Sequence, residues 1–262
     1  MKTKTLLLAA ALTLLLSACS GGTSATSTPT QAPSPSPTQV PAPVITVQSD
    51  SKEYKAQDSA LILTVDCSLP FIENAQGVPA YEAINSYYKS EMSSHMDSSA
   101  SDLLSTAQED YDYSKEENYD FNSYASQMSF TQTLLGETRA SFYRTVYSYT
   151  GGAHGNLAVI GDTFDLSDGK RLSLGDLFSV PEEEYTKRLQ EEMIALAGTD
   201  PDLKEQLFEG YEQSIPEYFD PDNFYLTDED LVIFYQPYDI APWAAGVPTF
   251  KLPLEGLKDI LQ

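Results

Sequence analysis

The residue best suited to acid–base or metal chemistry in this chain is His154, which lies in a glycine-rich loop at residues 151–155. An imidazole titrates near neutral pH, so it can serve as a general base or as a metal ligand. Asp162 and Asp165 follow in the sequence and would approach His154 if their segment pairs with the preceding strand. A zinc site needs three or four ligands, which one histidine and two unplaced carboxylates do not define. We therefore predict no catalytic residue, metal or cofactor, and expect His154 to hold a tight turn or to contact a ligand.

Three aromatic residues form a second group of interest: Tyr235, Tyr238 and Trp243. Proline and glycine interrupt the segment that carries them, which favours a loop that presents the rings outward. Aromatic rings stack on sugars and contribute strongly to protein interfaces. We predict that these three side chains and His154 form a ligand-contacting surface.

The other motifs favour no specific chemistry. The acidic segments 220–223 and 228–230 could offer oxygen ligands to calcium, but neither has the spacing of an EF-hand loop, so a solvated surface is the better interpretation. The sequence has no G-x-S-x-G elbow, no P-loop and no dinucleotide-binding fingerprint. Cys67 lies in an apolar run, which favours a small buried side chain over a reactive thiol.

The hydrophobic patterns that must position these residues predict an α+β fold. Apolar residues at helical spacing after Pro79 indicate a helix that continues toward Tyr113, and the Glu-rich start of residues 181–197 indicates another. We predict antiparallel sheets with packed helices, in two small, intimately joined modules at residues 46–155 and 156–262. The predicted strands cover residues 44–47, 52–56, 60–69, 130–135, 139–149, 157–166, 224–226, 231–235 and 249–252, with further helical segments at 201–210 and 254–261.

The charge balance excludes one class of partner. The chain has 39 acidic and 15 basic residues, a formal net charge of −24. A nucleic-acid-binding protein would carry the opposite sign, so we exclude nucleic acid. The negative charge fits either a soluble, self-repelling surface or electrostatic steering of a cationic partner.

The amino terminus has the pattern of a lipoprotein signal peptide. A short positive segment precedes the apolar run 6–16, which is too short to span a bilayer. The run ends in Leu16-Ser17-Ala18-Cys19, which resembles a lipobox and implies cleavage before Cys19 and lipidation of its thiol. We predict a signal peptide at residues 1–18 and an extracytoplasmic protein, anchored through Cys19 to the outer face of the cytoplasmic membrane. An ordinary secretory signal with an incidental cysteine is the alternative.

A spacer follows the cysteine. Residues 20–43 consist mainly of Ser, Thr, Pro, Ala and Gly and include no charged residue. Such a composition cannot bury enough apolar surface to offset its conformational entropy, and its alternating prolines favour extended polyproline II. We predict that residues 19–45 are a disordered linker that separates the folded body from the membrane.

Four segments together resemble a known extracytoplasmic pair of modules: Tyr149–Gly155, Thr163–Leu166, Gly169–Phe178 and Leu231–Pro242. This pair is shared by the lysozyme-sensing anti-sigma factor RsiV and the peptidoglycan deacetylase PdaC. The similarity extends from about residue 46 to the end of the chain and is strongest at residues 147–178 and 231–253. Here the pair follows a lipoprotein signal.

The resemblance implies a recognition body without an effector. The anti-sigma factor would require a sigma-binding segment and a membrane span, where this chain has a signal peptide. The deacetylase would require paired metal-binding histidines, whereas this chain has only His95 and His154. Because the second module takes part in lysozyme binding in the anti-sigma relative, the resemblance implies lysozyme or another cationic protein as partner. Peptidoglycan binding, or an envelope hydrolase that uses His154, are the alternatives.

Overall fold

The structure, a computed structural model, describes residues 40–262, and the segment from Val40 to Gln262 forms one compact unit. The predicted signal peptide, Cys19 and the linker up to residue 39 lie outside the described residues. None of the helices between residues 40 and 262 has the length and apolar character needed to cross a bilayer.

The elements confirm the predicted α+β class. The strands are β1 (Ile45–Lys55), β2 (Leu61–Ile72), β3 (Tyr124–Leu135), β4 (Arg139–Tyr149), β5 (Asn156–Asp165), β6 (Phe224–Leu226), β7 (Asp230–Phe234) and β8 (Thr249–Pro253). The helices are α1 (Pro79–Glu117), α2 (Glu182–Thr199), α3 (Pro201–Gln206) and α4 (Tyr211–Glu217), with short 3-10 turns at residues 174–177, 243–245 and 254–257.

A five-stranded sheet of order β1-β2-β3-β4-β5 forms the first half of the body. The pair β2–β3 is parallel, because α1 crosses over between them, and the other neighbours are antiparallel. The two strands predicted at residues 44–47 and 52–56 are one continuous strand, β1. The residues in its middle are polar and exposed, so the sequence has no hydrophobic pattern there that would predict a strand.

The long helix α1 covers one face of this sheet. Its buried residues Tyr81, Ile84 and Tyr88 recur at helical spacing and join the core formed by the inward residues of the strands. The helix is unbroken to Glu117, and Asn118 ends it in the left-handed conformation with φ 56°. Cys67 is buried in the same core, as predicted, and burial raises the pKa of its thiol to about 11.

A three-stranded antiparallel sheet, β6-β7-β8, packs with α2 and α4 around a second core. The helix α4 was not predicted, because Pro216 lies inside its seven residues and weakens the helical signal. The predicted boundary between residues 155 and 156 falls between β4 and β5, which are adjacent strands of the five-stranded sheet.

The two sheets meet on the face of β4 and β5 that lies opposite α1. The side-chain amide of Gln236 accepts from the backbone N–H of Val159 at 2.9 Å and donates to its carbonyl oxygen at 2.8 Å, so it extends the edge of β5. On the same face the Ser141 hydroxyl accepts from the backbone N–H of Leu226 at 3.0 Å. These contacts hold the loop after β7 beside the loop between β4 and β5.

Candidate functional site: an exposed aromatic cluster

Three of the four residues predicted to contact a ligand come together at the surface. The rings of His154 and Trp243 stack with centroids 4.6 Å apart and an interplanar angle of 17°. The Tyr238 ring lies 6.0 Å from that of Trp243 at 28°, and its hydroxyl is 3.5 Å from Nε2 of His154. We call these three residues the aromatic cluster. Tyr238 is 56% exposed and His154 is also exposed, so the cluster can meet a ligand.

Backbone geometry at two loops brings the cluster together. Gly151 has φ +84°, a conformation that glycine adopts without a steric penalty. A Cβ at Gly155 would overlap the Tyr147 ring, so only glycine at this position lets the chain pass so close to β4. On the other loop Tyr238 itself has φ +76°, which is uncommon for a bulky residue and marks a backbone that the surrounding contacts hold in place.

Tyr235 does not belong to this surface, contrary to the prediction. It is only 1% exposed, and its hydroxyl donates to the carbonyl oxygen of Ile215 at 2.8 Å within the second core. The prediction placed it in the loop, whereas its backbone N–H still pairs with the carbonyl oxygen of Pro248 directly after β7. Its side chain therefore packs against α4 in the second core and is not accessible to a ligand.

The two ring nitrogens of His154 contact no carboxylate. Nδ1 lies 2.9 Å from the carbonyl oxygen of Gly155, and Nε2 faces the Tyr238 hydroxyl. The predicted pairing of the two strands is present, but β5 carries Asp162 away from the loop by roughly 20 Å, at about 3.3 Å per residue. Within residues 40–262 no group of three His, Cys, Asp or Glu side chains could hold a metal ion.

Acidic side chains lie beside each of the two loops that carry the cluster. Next to Thr150 and Gly151 a small cavity of about 110 Å³ is lined by Asp110 and Asp120. Tyr124 also lines it and donates to the Asp110 carboxylate; burial and this hydrogen bond raise the pKa of Tyr124 to about 12.

On the Tyr238 side, the Asp239 carboxylate accepts from the backbone N–H of Gln236 at 2.9 Å. Burial, and secondarily the negative charge of Asp220, raise the pKa of Asp239 above its ordinary value. Carboxylates beside both loops therefore favour a positively charged ligand near the aromatic cluster.

A buried charge network lies elsewhere in the body and was not predicted. The side chain of Arg144 on β4 is 1% exposed; its Nε donates to Asp162 at 2.5 Å and its Nη1 to Glu91 at 2.8 Å. Asp162, fully buried, also accepts from Arg171 at 2.8 Å and from the Tyr87 hydroxyl at 2.9 Å. An arginine on the inward, otherwise apolar face of a strand was the sequence signal that could have revealed it.

The groups of this network stay charged, and their contacts link several elements of the fold. Burial lowers the pKa of Arg144, but its contacts with Asp162, Tyr87 and Glu91 together raise it by more, so the guanidinium stays charged. Two guanidinium groups face two carboxylates, and the contacts join α1, β4, β5 and the segment after β5.

Comparison with protein families divides the chain in two. Residues 56–157 match the family described as deacetylase PdaC, and residues 175–255 match a family described as protein of unknown function, DUF3298. The two matched segments follow one another as in a PdaC/RsiV-like two-module family. These matches confirm the resemblance that the sequence predicted from the loop between β4 and β5 and from the segments after it. No curated protein compared with the chain gives a significant match.

Solved structures show the same fold. A DUF3298 family member from Bacteroides fragilis aligns over 84% of this chain and 95% of its own chain, with 19% identity and a TM-score of 0.60. A DUF3298 family protein from Pseudomonas aeruginosa aligns over 85% and 95%, with 20% identity and a TM-score of 0.56. At these identities the likeness concerns the fold alone. The body is therefore a pair of extracytoplasmic-type modules for which the families supply no established function.

Proposed function

We propose that this chain is a lipid-anchored extracytoplasmic protein whose body binds a basic envelope protein, such as lysozyme, without catalysis. The observation that carries the proposal is the exposed aromatic cluster, with carboxylates beside both of the loops that form it. Aromatic side chains are common centres of protein interfaces, and their ring faces attract arginine and lysine. These carboxylates and the net charge of −24 would draw a cationic partner toward the cluster.

The anchoring part of the proposal rests on the amino-terminal sequence. We expect Cys19→Ala to release the protein from the membrane fraction, because a thioether-linked diacyl group can form only on the cysteine. Fractionation of cells that produce either form, with detection of the body, measures this. Cys67→Ala is the control, since that thiol is buried, and it should remain with the membrane. Equal membrane retention of wild type and Cys19→Ala would contradict lipid anchoring through this residue.

Binding is tested by calorimetric titration of residues 40–262 with a c-type lysozyme. We expect Trp243→Ala to weaken binding by roughly 30-fold or more, the effect of removing an interface hot spot worth about 2 kcal/mol. Phe71→Ala is the matched control. Phe71 is an exposed aromatic residue on β2, roughly 25 Å along the strand from the end nearest the cluster. Absence of binding by the wild type would reject lysozyme as the partner.

Peptidoglycan is the second candidate, because the exposed Tyr238 and His154 rings could also stack on sugars. The ionic strength separates the two ligands. Binding of a basic protein through acidic side chains should weaken steeply as salt rises from about 0.05 to 0.5 M, whereas stacking on glycan fragments should change little. The hydrolase alternative gains no support, because the contacts of His154 include no carboxylate that could orient it as a base.

A further inference from the structure

The strand β1 forms an edge of the five-stranded sheet, and among residues 40–262 no strand pairs with its outer side. Its residues 47–53 are exposed, so the open edge is long as well as accessible. Such an edge offers unpaired backbone groups to another strand. At the opposite edge β5 is covered, since the side-chain amide of Gln236 pairs with the backbone of Val159 and the N–H of Leu172 donates to the carbonyl oxygen of Thr163.

The hydrogen bonds of β1 show which of its backbone groups point outward. The N–H of Glu73 donates to the carbonyl oxygen of Val44 at 2.9 Å, so even-numbered residues of β1 exchange hydrogen bonds with β2 along the continuous register. The backbone of Ile72, opposite Ile45, is instead paired with the side chain of Asn85. The N–H and C=O groups of residues 49, 51 and 53 therefore point away from the sheet.

The charged residues of β1 are arranged so that the strand complements itself. Two identical strands can pair antiparallel about a two-fold axis normal to the sheet. The residue at the axis then lies opposite its own copy, and the residue before it lies opposite the copy of the residue after it. With the axis at Ser51, Asp50 of each copy lies opposite Lys52 of the other, on the same face of the sheet. Ser49 lies opposite Glu53, and the outward groups of residues 49, 51 and 53 pair with one another.

Neighbouring registers are unfavourable by the same reasoning. An axis at Asp50, Lys52 or Glu53 places like charges directly opposite each other, which destabilises a strand pair. Within residues 40–262 Asp50 and Lys52 take part in no ion pair, so both are free to form the reciprocal contacts. In the isolated chain the Asp50 carboxylate accepts from the N–H of Ser51 at 2.8 Å, a contact that it would exchange for Lys52 of the second copy.

We propose that two copies of this chain associate through their β1 edges, antiparallel about a two-fold axis at Ser51, to form one continuous ten-stranded sheet. The inference does not depend on the ligand of the aromatic cluster. The two copies repel each other through their net negative charge, so the association is expected at physiological salt, where surface charges more than about 8 Å apart are largely screened.

Sedimentation equilibrium of residues 40–262, up to about 1 mM, tests the register by charge exchange. We expect the wild type to dimerise, and Asp50→Lys to raise the dimer dissociation constant at least about tenfold, because it places two lysine pairs opposite each other. The double variant Asp50→Lys/Lys52→Asp should restore dimerisation. The single variant also reduces the net negative charge, so general repulsion alone would predict tighter association instead.

A second pair of variants tests the outward backbone groups. Ser51→Pro removes an N–H that bonds to no other strand, and it should abolish dimerisation while leaving the β1–β2 ladder intact. Ser51→Ala is the matched control, because both changes remove the hydroxyl that donates to Asp66 at 2.5 Å, but alanine keeps the N–H. Thermal melts confirm that each variant is folded. A monomeric wild type at every concentration, or a dimer that is indifferent to both sets of variants, would overturn the proposal.

Discussion

Replacing Arg144 by methionine is expected to lower the free energy of unfolding by about 3 kcal/mol, the cost of leaving a buried charge without its partner. The guanidinium is 1% exposed and makes two contacts to Asp162, at 2.5 and 3.2 Å, and one to Glu91. Once it is removed, the fully buried Asp162 carboxylate keeps only Arg171 and the tyrosine hydroxyls. Because Arg171 still pairs with Asp162, we expect the loss of stability to be at the lower end of the range for broken buried ion pairs.

Urea denaturation of residues 40–262 measures this loss. The matched control is Arg188→Met, which removes an arginine from a surface pair with Glu192 on α2. The Arg188 side chain is 43% exposed and its ion pair is screened by solvent, so that change should leave the free energy of unfolding almost unchanged. Similar losses in the two variants would show that the buried network does not hold α1, β4 and β5 together. In Arg144→Lys the charge is kept but the two-pronged contact is lost, so an intermediate stability is expected.

Replacing Gly161 by alanine is expected to destabilise the body by about 3 kcal/mol, at the upper end of the cost of overpacking. A Cβ at this position would overlap the carbonyl oxygen of Phe224 and lie 2.7 Å from its carbonyl carbon. These are backbone atoms of β6, which cannot rotate away as a side chain would. The two sheets would have to separate, and the contacts of Gln236 with Val159 would lengthen.

The same denaturation measurement tests this prediction, with Gly136→Ala as control. Gly136 lies between β3 and β4, and a Cβ there would make ordinary contacts of 3.5 Å and longer. We expect that control to remain within about 1 kcal/mol of the wild type, because surface substitutions without a steric conflict have small effects. Equal stabilities of the two variants would mean that β5 and β6 can move apart without cost.

The change of Gly161 to alanine also bears on the aromatic cluster, because the two halves of the cluster belong to different parts of the body. His154 comes from the loop between β4 and β5, whereas Tyr238 and Trp243 follow β7. The packing of the two sheets, with the hydrogen bonds of Gln236 to Val159, holds these loops side by side. A folded Gly161→Ala protein should therefore bind the partner of the cluster less tightly even though it keeps all three rings.

Much of the local structure was determined by the sequence itself. The alternation in Arg139–Tyr149 predicted β4 with its observed bounds, and the Glu-rich start of the second long helix predicted α2 within two residues. These segments have a hydrophobic period that matches one secondary structure, so their neighbours in space add little information. β1 shows the opposite case, because its exposed residues 47–53 have no apolar period and it is a strand through its pairing with β2.

The candidate site was decided by tertiary structure. The sequence supplied exposed loops and aromatic residues, but it could not distinguish Tyr235 from Tyr238, three positions apart at the end of β7. Pairing after β7 turns the Tyr235 ring into the second core, and the left-handed backbone at Tyr238 turns its ring out toward His154. The partners of Arg144 were equally hidden, since Glu91 and Asp162 are distant in sequence. Composition and periodicity record what each residue prefers locally, whereas these contacts depend on how two sheets and a helix pack against one another.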